Sequence, residues 1–193
     1  MSSSPPVPPP DTVYVSFSAE VTPHTTENLI AVMANQANQG VKNVHLLLST
    51  PGGSVMHGMT LYNVLRAMPF HLITHNVGNV DSIGNAIFLA GVARYACPHS
   101  TFMFHGVGFD SPQGVRLEEK LLRERLAALQ ADQLRIGSVI GERTQIKGRA
   151  ISKLFLEAQT KDAAYAKSNG IIDDIREVEI PTGTPILQLV FQR

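Results

Sequence analysis

A single cysteine, Cys97, leaves this chain of 193 residues unable to form an intramolecular disulfide, so a reducing compartment, the cytoplasm, is the simpler setting. Net charge is also missing: sixteen Lys and Arg balance sixteen Asp and Glu, which argues against a nucleic-acid binder and removes strong repulsion between copies. No apolar run reaches the ~18 residues that a membrane helix needs. The opening "MSSSPPVPPPDT" has no cationic segment followed by an apolar one, so no secretory leader is expected there. Neither GxGxxG nor GxxxxGK[ST] occurs, which excludes the two common nucleotide-binding loops, and no metal or cofactor is expected.

What is there is enough apolar residue, 44%, to bury a core, with 17% charged. Residues 1–11 are rich in Ser and Pro and are expected to form a disordered arm, with one domain over 12–193. "TVYVSFSAEV", "VKNVHLLLS" and "FHLITHNVG" read as strands, the last ending in a turn at Gly78-Asn79. Between them, "HTTENLIAVMANQANQG" has Thr cap candidates, Leu29, Ile30, Val32 and Met33 at helical spacing, and Gly40 at its end. "SVMHGMTLYNVLRAM" is a second helix, and a third is expected from about Ser82 to Ala93. Short strands flank Cys97-Pro98. Leu117, Leu121, Leu122, Leu126, Leu129 and Leu134 then stripe the longest helix, followed by a further helical stretch to Gly170 and a last strand in "TPILQLVFQR". Strands alternating with helices imply an α/β fold with parallel pairing, whose sites form at the carboxyl ends of strands.

Two such ends stand out. "STPGGS" follows the second strand, and its glycines allow a sharp turn with bare N–H groups. "GNVDSIG" follows the third and contains Ser82, which is either a helix cap or a nucleophile; its glycines do not match the G-x-S-x-G elbow. A nucleophilic serine needs a base. Of seven histidines, His24, His45, His57, His71, His75 and His99 have no distinctive setting and read as surface or helix-face residues. His105 differs, because it ends the apolar "TFMFH" and precedes "GVG".

The ordered set "STPGGSVMHGMTLYNVL", "VDSIGNAIFLAG" and "CPHSTFMFHG" resembles the proteolytic subunit (ClpP) family of Clp serine peptidases, which belongs to the crotonase-like superfamily. That family has a Ser-Pro-Gly-Gly turn, then Ala-Ser-Met-Gly with the nucleophile, then a Pro-Asn-Ser turn and Met-Ile-His with the base. The resemblance runs from about residue 13 to 106 and continues more weakly through "GERT" and "SNGIID". It implies repeated β-β-α units and a protruding handle helix at about 114–140. It also implies a serine endopeptidase that cleaves peptides or unfolded proteins inside a ring-shaped homo-oligomer. Ser82 would be the nucleophile and His105 the general base, with the N–H groups of Gly53 and Ile83 as the oxyanion hole.

The third member of the triad is expected at Glu157, with Asp162 nearby. The alternative is that Glu157 is a solvated helix charge and that the role is vacant or filled by a backbone group. Asp81 stands where the family has a small residue, either facing solvent as a helix-terminal charge or raising the pKa of a histidine. An ATP-dependent unfoldase is the family's partner, but only the Pro-rich arm stands where the family's N-terminal helix and axial loops serve it. The competing expectations are a non-catalytic or regulatory subunit of the same fold, and an acyl-CoA enzyme, against which Ser82 and His105 both argue.

Overall fold

The structure, a computed structural model, describes residues 10–108, 116 and 118–191. Strand β1 (Thr12–Ser18) leads into α1 (Pro23–Asn38), β2 (Asn43–Thr50) into α2 (Val55–Ala67), and β3 (His71–Asp81) into the short α3 (Gly84–Phe88). Two short strands follow, β4 (Ala93–Ala96) and β5 (Thr101–Met103), then α4 (Glu119–Arg143) and α5 (Arg149–Glu157). The remaining elements are β6 (Thr160–Asp162), α6 (Ala163–Ser168), β7 (Asp174–Ile175) and β8 (Ile186–Gln188).

The sheet runs β6-β5-β3-β2-β1-β8, with β4 on β3 and β7 on β4. Every pairing among the described strands is parallel except β5 with β6. Alternation along β1 and β2 buries Val13, Val15 and Phe17 beside Val44, Leu46 and Leu48, and α1 closes over them with Leu29 and Met33. Each such fully buried side chain stabilises the fold by about 1.5–3 kcal/mol. Helix α1 begins slightly before the threonines of "HTTENL" that are the cap candidates: Thr22 caps it, Pro23 occupies the first turn, and Thr25 completes a capping box instead of being the cap.

Four expectations about the bounds of elements are corrected. The chain does not turn at Gly78-Asn79. There β3 continues to Asp81, because Gly78 lies against Ser49 and the Asn79 amide accepts from Ser49 Oγ at 3.1 Å and donates to Thr50 O at 3.2 Å. The helix after Ser82 spans only Gly84–Phe88. It stops because the Arg143 guanidinium takes the carbonyls of Leu89 and Gly91 at 3.1 and 2.8 Å, and Val92 N–H joins Leu72 O at 2.8 Å. The helical stretch before Gly170 is two helices, broken at Ala158, whose φ of 47° is left-handed, and by the pairing of β6 with β5. The long helix covers Glu119–Arg143 and not 114–140. Its expected start at 114–115 and Leu117 lie outside the described residues, as do residues 1–9 of the arm.

His45 and His75 are not surface or helix-face residues. They lie side by side on one sheet face, His75 only 4% exposed, with His45 Nδ1 2.9 Å from His75 Nε2. Tyr14 stacks on His45 at 4.4 Å, Tyr95 tilts against His75 at 5.3 Å, and Arg176 covers Tyr95. Glu177 and Glu179 complete the walls of a cavity of about 330 Å³ here. Burial first, then His45 and Arg176, push the His75 pKa down to about 4, and burial followed by Arg176 lowers that of His45.

In the unfolded chain both rings take up protons near pH 6.5, which the folded protein refuses down to about pH 4 at His75. The unfolded state therefore binds more protons in this window, and stability is lost as pH falls through it. The urea midpoint is expected to drop between pH 7 and pH 5, and His75→Phe should remove most of that drop.

Candidate active site

At the carboxyl end of β2 the chain passes through Thr50, Pro51, Gly52 and Gly53. Gly52 and Gly53 have φ of 92° and 139°, which side-chain-bearing residues rarely adopt. Space is equally restrictive. A Cβ on Gly52 would stand 2.6 Å from Ser82 Cβ, and one on Gly53 would be driven into the main chain of Val21. Val21 N–H donates to Gly52 O at 2.7 Å and Ser54 N–H donates to Val21 O at 2.8 Å. The turn is thereby pinned to the segment after β1 on one side and to the serine on the other.

Ser82 follows the last residue of β3 with φ 57°, the left-handed region that costs a non-glycine residue about 1–2 kcal/mol. Its N–H donates to Met103 O at 2.8 Å, continuing the pairing of β3 with β5 for one more residue. The residue that caps α3 is Ile83, without a side-chain cap bond. Ser82 is therefore not a helix cap. Ile83 is 1% exposed, its side chain seated on Gly58 of α2. Among the described residues neither the Gly53 N–H nor the Ile83 N–H has a hydrogen-bond acceptor.

His105 lies two residues beyond β5. Its Nδ1 is 2.7 Å from Gly106 O, and a carbonyl only accepts, so the proton is on Nδ1 and the lone pair is left on Nε2. Gly106 is held in turn, donating to Phe155 O at 3.1 Å. Ser82, His105 and Gly53 line one cavity of about 210 Å³, walled by Val55, Phe104, Ile136 and Phe155. No hydrogen bond joins Ser82 to His105 among the described residues.

The carboxylates are elsewhere. Glu157 ends α5, two residues past Phe155, with its oxygens 3.5 Å from Lys153 and 3.5 Å from Lys161, and it does not line the cavity. Asp162 caps α6, accepting from Tyr165 N–H at 2.7 Å. Asp81 is half-buried and accepts from Asn79 Nδ2 at 2.7 Å, and among the described residues no hydrogen bond or ion pair joins it to a histidine. The structure thus brings Gly53, Ser82, Ile83 and His105 together and holds Glu157 apart on lysines. Sequence reasoning missed Phe155, whose carbonyl anchors Gly106, and Asn85, whose side chain donates to Ser82 O and Met103 O. A polar residue at a core position of "SIGNAIF" is the signal that could have found Asn85. No group of three or more metal-ligating side chains is present among the described residues, and no described helix is long and apolar enough to cross a membrane.

A family model described as Clp protease matches residues 11–179. The "ATP-dependent Clp protease proteolytic subunit 2" of Corynebacterium glutamicum is 27% identical over 150 residues, covering 75% of this chain and 71% of the relative. Its namesake in Corynebacterium diphtheriae is 26% identical over 152 residues, covering 76% and 72%. Among solved structures, a ClpP1 mutant from Listeria monocytogenes superposes with a TM-score of 0.72 at 21% identity, covering 87% of this chain and 92% of that one. The ClpP protease catalytic domain from Plasmodium falciparum gives 0.70 at 20% identity, covering 88% of each.

The glycine turn generates a graded expectation. Gly52→Ala combines a left-handed φ with a clash on Ser82 and should lower stability by about 1–3 kcal/mol. Gly40→Ala has a comparable φ but meets nothing within 4 Å, so only the backbone strain of about 1 kcal/mol is expected. Urea denaturation of the two variants measures the difference.

Proposed function

The chain belongs to the Clp protease family, of the crotonase-like superfamily, and we propose that it is a serine endopeptidase whose nucleophile is Ser82. Ser82 Oγ attacks the peptide carbonyl carbon while His105 Nε2 accepts its proton. The same nitrogen returns the proton to the leaving amine, and water then hydrolyses the acyl-enzyme with His105 again as base. The Gly53 and Ile83 N–H groups stabilise the oxyanion; removing one such donor typically costs about 10²–10³ in rate. Apolar walls from Val55, Ile136 and Phe155 favour an uncharged side chain beside the scissile bond.

The observation that carries this reading is the shared cavity. It joins a serine held in a left-handed turn, a histidine with its lone pair on Nε2, and Gly53, whose N–H, like that of Ile83 next to the serine, has no acceptor among the described residues. In the resting protein the Gly106 carbonyl orients His105. Glu157 would take over Nδ1 only by leaving Lys153 and Lys161 and displacing that carbonyl.

Assembly belongs to the same reading. Along roughly the first four turns of α4, Leu122, Leu126 and Leu134 are 44, 55 and 75% exposed, while Ile136, Val139 and Ile140 of its last turns are buried. A contact between copies through α4 would cover these leucines and build the chamber, with peptides or unfolded proteins as substrates. The relatives' names make an ATP-dependent unfoldase the partner to test.

Fluorophosphonate labelling located by peptide mass spectrometry is expected to place the adduct on Ser82, and Ser82→Ala should abolish it. His105→Ala should slow labelling by at least ~10³. Glu157→Gln should leave the rate within about threefold if Gly106 O keeps its role; a loss of 10-fold or more would assign the role to Glu157. Absence of label on folded, assembled protein would favour a non-catalytic subunit.

Leu126→Glu places a charge on the exposed stripe. It should shift the assembly toward smaller species in sedimentation velocity while leaving the fold intact.

A further inference from the structure

Asn85 lies in α3, the third residue after Ser82, and is 1% exposed. Its Nδ2 donates to Ser82 O at 3.1 Å and to Met103 O at 2.8 Å. Both acceptors are carbonyls, so the orientation of the amide is dictated: turned over, its oxygen would face two others. In this orientation Oδ1 is buried without a partner.

Folding supplies no reason for this amide. Ser82 O already accepts from Asn85 N–H at 3.1 Å, and Met103 O already accepts from Ser82 N–H at 2.8 Å. Ala86, Ile87 and Phe88 beside it are wholly buried, so an apolar residue would satisfy the position and spare an orphaned oxygen. What the amide adds is a bridge. One of its hydrogens holds the carbonyl of the serine, and the other holds β5 two residues before the histidine.

We propose that Asn85 is a positioning residue that sets the distance from Ser82 Oγ to His105 Nε2 by tying the left-handed serine turn to the strand that carries the base. This rests on the reading of Ser82 and His105 as nucleophile and base. With two main-chain contacts left but the side-chain bridge gone, the turn and the strand move against each other by fractions of an ångström. Attack geometry is sensitive on that scale, where ~1 Å is worth about 10²-fold in rate. Substrate affinity is much less so, because three of the four apolar walls, Val55, Ile136 and Phe155, come from α2, α4 and α5.

The test compares wild type, Asn85→Ala and Asn85→Asp in fluorophosphonate labelling and peptide hydrolysis at pH 7.5, with urea midpoints measured alongside. The expected order of kinact and kcat is Asn, then Ala, then Asp. Alanine should be slower by ~10–100-fold with KI and KM within about threefold. Aspartate matches asparagine in shape but turns an oxygen toward both carbonyls, so it should be slower again. A space-filling role predicts the reverse order for the two variants, and that result would overturn the proposal. So would alanine labelling at the wild-type rate, or a loss carried by KM alone, while wild-type labelling at Ser82 would leave the peptidase reading standing. Failure of wild type itself to label at Ser82 would overturn both. Asn85→Ser, which keeps one short donor, replaces alanine if that variant does not fold, with an intermediate rate expected.

Discussion

Strand β3 pairs with β2 along one edge and divides the other between two partners, β4 against Ile73–Asn76 and β5 against Asn79–Asp81. This divided pairing brings Ser82 and His105 to one cavity. The register against β2 shifts between Leu48 and Thr50, so the second half of β3 is offset from the first, and its end meets the glycine turn that follows β2. Because β5 pairs with that same end, the strand that carries His105 is brought beside Ser82 although 22 residues separate them in sequence. Parallel pairing across three strands, with one register shift, thus brings two remote stretches of chain to one cavity.

The groups around this junction are chemically economical. The glycines at 52 and 53 admit a backbone that approaches Val21 and Ser82 too closely for any side chain. Among the described residues the serine turn leaves the Ile83 N–H without an acceptor, and the Gly106 carbonyl selects the tautomer that leaves the lone pair on Nε2. Support comes from main-chain atoms more than from carboxylates: Phe155 O holds Gly106, Met103 O holds Ser82, and the Asn85 amide reaches both sides of the junction. Phe155 also lines the groove of about 620 Å³ between α4 and α5, beside Gln133 and Leu134. The site and the exposed stretch of α4 are therefore neighbours, joined through Phe155.

Much of this was legible in the residues themselves. The helical spacing of Leu29, Ile30, Val32 and Met33 announced α1 and Gly40 its end, although the cap proved to be Thr22 and not a threonine of "HTTENL"; the alternation of "TVYVSFS" and the Val and Leu of "NVHLLLS" announced the buried strands. Gly52-Gly53, Ser82 and His105 stood out because each is a local anomaly: a turn, a polar residue after a strand, an imidazole where a strand meets glycines. The errors have physical causes. Gly78-Asn79 looked like a turn but Ser49 makes it a strand, and the apolar run after Ser82 looked like a long helix but Arg143, some 50 residues away, takes its last carbonyls.

What the sequence by itself determined is whatever short-range chemistry enforces, namely backbone permitted only to glycine, the caps, the alternation of strands and the family to which the ordered motifs belong. Tertiary structure alone decided the partners: Gly106 O rather than a carboxylate on His105, lysines on Glu157, His75 sealed against His45, and Asn85 bridging two strands. A hydrogen bond is settled within about 3 Å in space, and the chain sets that distance only after β3 has found β2, β4 and β5.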